Sequence, residues 1–240
     1  MDLDFLIRKS VNKETKNGGI FLFHGYGSNK EDLFSLEQYL PQSQTIISLE
    51  APLKLPFGGF SWFDIDYSDV LENNLDKRYK EINDSIENIL NNIDRHIQNE
   101  NLEKDDISIL GFSQGGSICW KLGLDFNSKF RRILPVSSFV HPSYLNNKLD
   151  YYKDLLIYSS HGLLDDVIPI NLVEDHIVEL SKNNTLNEFL VTSIILPGPN
   201  IPSSKVWLLF VHQIKAFILI SRNSITVFLQ CCDALVKCAV

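Results

Sequence analysis

The residues best suited to chemistry lie in the stretch 107–120, where a serine interrupts an apolar, β-prone run. Gly111, Ser113 and Gly115 form the pattern G-x-S-x-G, and the residues that follow can begin a helix. This pattern between a strand and a helix predicts a nucleophilic serine on a sharp, strained turn. The glycines leave room for the turn, because a Cβ atom at either position would clash. The helix aims its first N–H groups at the reacting centre, which places the amide of Gln114 to bind a developing oxyanion.

A carboxylate follows a later apolar run in the same way. Residues 155–158 have the composition of a buried strand, and Asp165 and Asp166 come shortly after them. A carboxylate in a loop at the carboxyl edge of a parallel sheet lies where a catalytic acid is needed to orient a base.

A chance G-x-S-x-G in an ordinary tight turn is the alternative interpretation of the serine motif.

Short apolar runs alternate with amphipathic segments along the chain. The predicted strands cover 19–23, 44–49, 107–110, 130–136 and 155–158, and the predicted helices 31–40, 77–101, 114–124 and 170–180. Such alternation predicts an α/β fold with a doubly wound, mostly parallel sheet. His96 falls on the polar side of the long helix 77–101, where we expect it to be solvated. The segment 53–70 is loop-like but rich in aromatic residues, so we expect it to cover a cleft or line an acyl pocket; packing against the side of the domain is the alternative.

Composition limits the kinds of partner. The chain has 240 residues, 44% hydrophobic and 22% charged, with a formal net charge of −8. These values suit a single α/β domain and argue against nucleic acid or an anionic membrane surface as the main partner. No signal peptide is expected, because the chain does not open with a basic segment followed by an apolar one. The four cysteines include no zinc-type pair, which favours a reduced, cytoplasmic protein without a metal site.

A compositional break divides the chain into a domain at 1–190 and an atypical segment at 191–240. Charged residues are frequent before the break and sparse after it. The apolar run 206–220 within this segment is shorter than the roughly 20 residues needed to cross a bilayer, so we expect no stable membrane span.

Four motifs occur in a fixed order: H-G-Y-G at 24–27, W-F-D at 62–64, G-F-S-Q-G-G at 111–116 and H-G-L-L-D-D-V-I-P at 161–169. Together they resemble the carboxylesterase/phospholipase family of α/β-hydrolases, which includes the acyl-protein thioesterases. The resemblance implies an α/β-hydrolase with helices on both faces of the sheet and little or no cap. It also implies hydrolysis of carboxyl esters or thioesters of acyl groups, without a cofactor, on small-molecule or lipid-like substrates.

Motif position implies the role of each site residue. Ser113 matches the nucleophile, and Asp165 matches the acid of the catalytic triad. The backbone amides of Tyr26 and Gln114 match the two oxyanion donors, and Trp62 matches the aromatic residue on the substrate side. His24 is expected to shape the loop that carries Tyr26 through hydrogen bonds of its ring.

The base is the weakest match to the family. In this fold the triad order is serine, acid, histidine, so the base must follow Asp165. His176 comes too early, within the helix predicted just after the acid, and His212 is the one histidine left in order. His212 lies inside the apolar run of the atypical segment and lacks the preceding glycine of the family. The rival interpretation is that the segment after about 190 is not the family's C-terminus. The chain would then be a catalytically impaired hydrolase that binds an acyl ligand or a partner protein. A peptidase or a dienelactone-type hydrolase on the same scaffold is a third alternative.

Overall fold

A computed structural model describes residues 1–64, 75–138, 155–162, 165, 167–168, 173 and 189–194. Within these residues, seven strands form one sheet and two short strands form a hairpin beside it. The strands are β1 (Phe5–Arg8), β2 (Gly19–Phe23), β3 (Thr45–Leu49), β4 (Leu53–Lys54), β5 (Phe60–Ser61), β6 (Ile107–Phe112), β7 (Arg132–Val136), β8 (Leu156–Gly162) and β9 (Phe189–Ile194).

The sheet has the order β1-β3-β2-β6-β7-β8-β9. Only the edge pair β1 and β3 is antiparallel, and each of the other neighbouring pairs is parallel. The mostly parallel sheet predicted from the sequence is therefore confirmed. Its parallel strands bring the loops that follow β2, β6, β7 and β8 to the same carboxyl edge. Strand β9 crosses residue 190, so the sheet continues into the beginning of the compositionally atypical segment.

The central strands owe their position to continuous apolar sequence. Every residue of β2, β3 and β7 is buried. A strand in the middle of a parallel sheet has packed elements on both faces, so it carries apolar side chains without alternation. The same reasoning explains β6, in which only the last residue, Phe112, is exposed.

Three helices are described: α1 (Lys30–Phe34), α2 (Leu75–Asn99) and α3 (Gln114–Asp125). The second and third match the predicted helices closely. Helix α1 ends much earlier than the predicted 31–40, because the Ser35 hydroxyl donates to the Asp32 carbonyl at 2.6 Å and the chain continues as a 3₁₀ turn. Of the predicted helix 170–180, Val173 is described and is helical, and the rest lies outside the described residues. None of the helices described is long and apolar enough to cross a membrane.

Helix α2 buries one face on the sheet through residues at helical spacing: Ile82, Ile86, Ile89 and Ile93. His96 corrects the prediction of a solvated side chain, since it is only 3% exposed. The edge strand β1 covers this side of the helix, and the ring of Phe5 lies edge-on to the imidazole with centroids 4.4 Å apart. The polar neighbours of His96 on the helix could not reveal a strand that packs over it from the N-terminus.

His96→Leu is expected to stabilise the fold by about 1 kcal/mol at neutral pH, because its buried Nε2 atom has no hydrogen-bond partner. Burial lowers the pKa of His96, and the nearby Arg95 lowers it further. The unfolded chain therefore binds a proton at His96 more readily than the folded chain does. As a result, the folded state loses stability at this residue as the pH falls below about 6.5. Urea unfolding at pH 7.5 and pH 5.5 should show a larger gain for the variant at the lower pH. A variant less stable than the parent at both values would contradict this expectation.

Polar contacts around Asp106 hold the amino edge of the sheet, which is opposite the carboxyl edge where the loops after β2, β6 and β8 lie. Its Oδ1 atom accepts from Arg132 Nη1 at 2.6 Å and from Arg131 Nη1 at 3.1 Å, and its Oδ2 atom accepts from Gln44 Nε2 at 2.9 Å. Burial alone would raise the pKa of Asp106, but the hydrogen bonds from Arg132 and Gln44 hold it below its ordinary value. This cluster ties β3, β6 and β7 together at the end of the sheet away from Ser113.

Candidate active site

Ser113 occupies the turn between β6 and α3 in a strained conformation, with φ 52° and ψ −113°. A residue other than glycine seldom adopts positive φ, and such strain persists only where the surroundings enforce it. The backbone N–H of Ser113 donates to the Val136 carbonyl at 2.9 Å, which fixes the turn to the end of β7. The sharp turn predicted from G-x-S-x-G is present in the structure.

The two glycines of the motif are required by close backbone contacts. A Cβ atom on Gly111 would lie 2.1 Å from the carbonyl oxygen of Gly115. A Cβ atom on Gly115 would lie 2.0 Å from the carbonyl oxygen of Phe23 and 2.7 Å from that of His24. The first turn of α3 therefore packs directly on the end of β2, and this contact brings Ser113 beside the loop 24–27.

Gly115→Ala is expected to destabilise the fold by about 2–3 kcal/mol, because the new methyl group meets backbone atoms that cannot move independently. It should also lower kcat by about 100-fold, since the elbow would move away from loop 24–27. Gly123→Ala in the same helix is the matched control. Its Cβ atom would approach side-chain atoms of Ile133 at 2.7 Å, which can shift without moving the site. Chemical unfolding and ester hydrolysis of both variants test this, and equal activities in the two would contradict it.

The backbone amides predicted to bind an oxyanion belong to the residue after Ser113 and to the loop after β2. Gln114 begins α3, and Tyr26 lies in the loop after β2. A Cβ atom on Gly25 would lie 3.6 Å from the Cβ atom of Ser113, so this loop reaches the serine. In the described part of the chain, neither amide N–H has a hydrogen-bond acceptor. Within these residues, both donors are therefore available to a ligand oxygen.

The ring of His24 shapes the loop, as predicted. The Ala51 N–H donates to its Nε2 atom at 3.1 Å, so Nδ1 carries the proton and donates to the Gly25 carbonyl at 2.8 Å. Burial lowers the pKa of His24 and keeps the ring neutral. His24 thus connects the end of β2 to Ala51, two residues beyond β3.

Trp62, the predicted substrate-side aromatic, lies in the core. The side chain is completely buried, at 0% exposure, and its ring packs edge-on against Phe23 with centroids 5.3 Å apart. Its indole N–H donates to the His24 carbonyl at 2.8 Å. The role of Trp62 as a substrate-side aromatic stays a prediction, and with no exposed surface its ring would contact a substrate only after rearrangement.

Other apolar side chains are exposed near the serine. Phe112, the residue before Ser113, is 40% exposed, and Phe57 is 73% exposed. The rings of Phe57 and Tyr26 lie 6.2 Å apart, which places Phe57 beside the loop that carries the second amide. The sequence marked the aromatic segment 53–70 but not which of its rings is exposed, and it gave no separate signal for Phe112.

Asp165 lies just beyond β8, as predicted for the acid. Its Oδ1 atom accepts from the backbone N–H groups of Val167 and Ile168, both at 2.9 Å. His161 Nε2 lies 2.7 Å from the Ile168 carbonyl oxygen and 3.5 Å from Asp165 Oδ2. The turn therefore holds the carboxylate at the carboxyl edge of the sheet, with Oδ2 outside the backbone hydrogen bonds. His212, the predicted base, lies outside the described residues, and β9 ends at Ile194, well before it.

No cluster of histidine, cysteine, aspartate or glutamate suited to a metal ion occurs among the residues whose positions are described. Cys119, which lies in α3, is buried and free, and burial raises the pKa of its thiol. Its position makes it part of the core behind the elbow.

A parallel sheet with a strained serine after a central strand and a carboxylate after a strand two places further along defines the fold of an α/β-hydrolase. The chain belongs to the phospholipase/carboxylesterase family, whose family model matches residues 7–197. The resemblance and the fold class inferred from the sequence are thereby confirmed. Sequence comparison with curated proteins finds no match.

Solved structures share this fold at low sequence identity. A carboxylesterase of Bacillus cereus is similar, with a TM-score of 0.68 at 14% identity over 90% of this chain and 93% of that one. Esterase PE8 gives 0.65 at 20% identity over 90% and 100% of the two chains. Acyl-protein thioesterase 2 of Zea mays gives 0.59 at 17% identity over 90% and 99%. At these identities the likeness shows the fold, and the substrate has to be argued from the site.

Proposed function

We propose that this chain is a serine hydrolase that cleaves carboxyl esters or thioesters through an acyl-enzyme on Ser113. The observation that carries the proposal is the strained serine at the start of α3, in contact with the loop whose Tyr26 amide has no acceptor among the described residues. A fold keeps a backbone conformation that costs about 1–3 kcal/mol when the site needs it. Here the strain presents the hydroxyl at the edge of the sheet, near two N–H donors that the described part of the chain leaves unpaired.

The reaction proceeds in two halves. Ser113 Oγ attacks the acyl carbonyl carbon while a base removes the hydroxyl proton, and the carbonyl oxygen becomes an oxyanion held by the amides of Tyr26 and Gln114. Collapse of this intermediate breaks the bond to the alcohol or thiol, which leaves with the proton from the base. Water then attacks the acyl-enzyme by the same route, regenerating Ser113 and releasing the carboxylic acid.

We assign the base to His212 by chain order and its orientation to Asp165. The Asp165 Oδ1 atom is occupied by two backbone N–H groups, whereas Oδ2 lies 3.5 Å from His161 Nε2 and accepts from no backbone N–H within the described residues. A carboxylate held in this way can accept a hydrogen bond from an imidazole, fix its tautomer and stabilise its protonated form. The acid side of a triad is thus preorganised by the turn after β8.

The exposed rings of Phe57 and Phe112 favour an apolar acyl group in the substrate. They border the loop and the elbow that would hold the carbonyl oxygen. Burying aromatic surface against an alkyl chain would favour binding by about 25 cal/mol per Å². The net charge of −8 makes an anionic polymer a poor competitor for this site, and the cysteine content supports an activity in the cytoplasm.

Fluorophosphonate labelling tests the function, because such probes react with an activated serine. We expect rapid labelling of the parent chain, none in Ser113→Ala, and slow labelling in His212→Ala. His176→Ala serves as the matched control for loss of a histidine in the same part of the chain, and it should label like the parent. Labelling that survives Ser113→Ala would contradict the assignment of the nucleophile.

A second candidate is a hydrolase fold that binds an acyl ligand without turnover. The observation that favours it is the end of the family match at residue 197, before His212. A folded protein that binds a non-hydrolysable acyl ether or thioether, but shows neither labelling nor hydrolysis, would establish this function and exclude the first. If the protein is instead active, a panel of p-nitrophenyl esters beside thioesters and peptides separates an esterase from a peptidase.

A further inference from the structure

We propose that the side-chain amide of Gln114 is a positioning group that sets the distance between the two oxyanion donors. The backbone N–H of Gln114 is one proposed donor. The side chain of Gln114 holds the segment 60–63, and this segment contacts the loop that carries the other donor, the N–H of Tyr26. The catalytic role of Gln114 rests on the proposed function. The hydrogen bonds of its side chain, which we call the clamp, do not.

The clamp consists of two hydrogen bonds that use both ends of the amide. Gln114 Oε1 accepts from the backbone N–H of Trp62 at 2.9 Å, and Gln114 Nε2 donates to the Phe63 carbonyl at 2.8 Å. The chain bends at Trp62 and Phe63, so this N–H and this carbonyl converge on one side chain. All three residues are buried, which makes each lost bond costly.

The clamped segment in turn holds the loop of Tyr26. The Trp62 indole N–H donates to the His24 carbonyl at 2.8 Å, and the His24 ring packs against the indole with centroids 5.3 Å apart. On the far side of the loop, the Gly27 N–H donates to the Phe60 carbonyl at 2.9 Å, and the Phe60 N–H donates to the Ser28 carbonyl at 2.8 Å. Tyr26 is therefore held from both sides by the segment 60–63, which Gln114 fixes to the elbow.

A close approach of two glycines leaves this arrangement little freedom. Gly59 has φ +75°, and a Cβ atom on it would lie 2.0 Å from the carbonyl oxygen of Gly27. The Ser85 hydroxyl on α2 also donates to the Trp62 carbonyl, so the segment is bound to the long helix as well. With these contacts in place, the Gln114 amide links the nucleophile's own helix to the segment 60–63, and this segment holds the loop 24–28.

Glutamine is the residue type that satisfies both groups. Its carboxamide presents one acceptor and two donors at the length required. Methionine matches the length without hydrogen bonding, and glutamate keeps the acceptor for Trp62 but sets a second oxygen against the Phe63 carbonyl. Each change should loosen the segment 60–63 and let the Tyr26 amide move from its place.

The test compares Gln114→Met with Gln44→Met. Gln44 is also buried and bonded through its side chain, but to Asp106 at the opposite edge of the sheet. We expect similar losses of melting temperature in the two variants. Only Gln114→Met should lower kcat for a short p-nitrophenyl ester, by about 10-fold to 100-fold, with KM within about twofold of the parent. An equal fall of kcat in both variants, or none in Gln114→Met, would overturn the proposal.

Hydrogen exchange followed by mass spectrometry gives a readout that needs no activity. In Gln114→Met, amides of 24–28 and 60–63 should exchange faster relative to those of β6, and in Gln44→Met they should not. Unchanged exchange in these peptides would overturn the clamp, whatever the parent's activity. If the parent fails to label with fluorophosphonate but the exchange result is as expected, the proposed function falls and the clamp stands. Should Gln114→Met not fold, Gln114→Glu takes its place with the same expectations.

Discussion

Ser113→Ala is expected to lower kcat for ester hydrolysis by about 10⁴–10⁶, with the fold intact. The hydroxyl is the atom that forms the acyl-enzyme, so no other group can take over the first half-reaction at a comparable rate. Ser117→Ala, one turn further along α3, is the matched control and should retain the parent's kcat. Steady-state hydrolysis of p-nitrophenyl esters by both variants measures the difference.

The strain at this position adds a stability test of the same residue. Ser113 has φ 52°, which glycine adopts without penalty. Ser113→Gly should therefore raise the free energy of unfolding by about 1 kcal/mol while abolishing activity. Such a trade between stability and function is expected where strain serves a site. A destabilised Ser113→Gly variant, or an active Ser113→Ala variant, would contradict the role given to the elbow.

Asp165→Asn is expected to lower kcat by about 10³–10⁴. Asparagine keeps an Oδ1 atom that can accept from the Val167 and Ile168 amides, so the turn after β8 survives while the negative charge is lost. The histidine would then lack the partner that fixes its tautomer and stabilises its charged form. Asp166→Asn, the neighbouring carboxylate, is the control and should change kcat by less than about threefold.

The two outcomes for Asp165 separate the candidate functions. A large loss of kcat in Asp165→Asn, but not in Asp166→Asn, implies that the Asp165 carboxylate orients and stabilises a catalytic base. A parent that hydrolyses esters but is insensitive to Asp165→Asn would show that this carboxylate orients no base. Circular dichroism of each variant checks that the turn has not unfolded, and Asp165→Ala, which removes the Oδ1 acceptor, should be less stable than Asp165→Asn.

The elbow and the central sheet could be predicted because their signals are local. Continuous apolar runs identify strands buried on both faces, and the glycines around Ser113 report a backbone that approaches Phe23 and Gly111 too closely for a side chain. The position of Asp165 followed from its place just after a strand. Such features depend on neighbours in the chain or on one adjacent strand.

The errors came from contacts that are distant in the sequence. His96 was assigned to solvent from its own helix, but strand β1, more than eighty residues earlier, covers it. The burial of Trp62 likewise depends on distant contacts, since its indole N–H bonds to His24 and its backbone N–H to Gln114. The early end of α1 depends on the Ser35 hydroxyl, whose competition with the helix has no periodic signature.

The measurement that most directly tests an acyl-enzyme on Ser113 is intact-mass analysis after acid quenching of the protein mixed with excess p-nitrophenyl butyrate. The expected result is a single butyryl adduct that forms within the first turnover, maps to the peptide containing Gly111 to Trp120, and is absent from Ser113→Ala. Hydrolysis without an adduct, or an adduct on another residue, would contradict the proposed mechanism. A folded protein with neither adduct nor hydrolysis would contradict the proposed hydrolase activity and favour a hydrolase fold that binds a ligand without turnover.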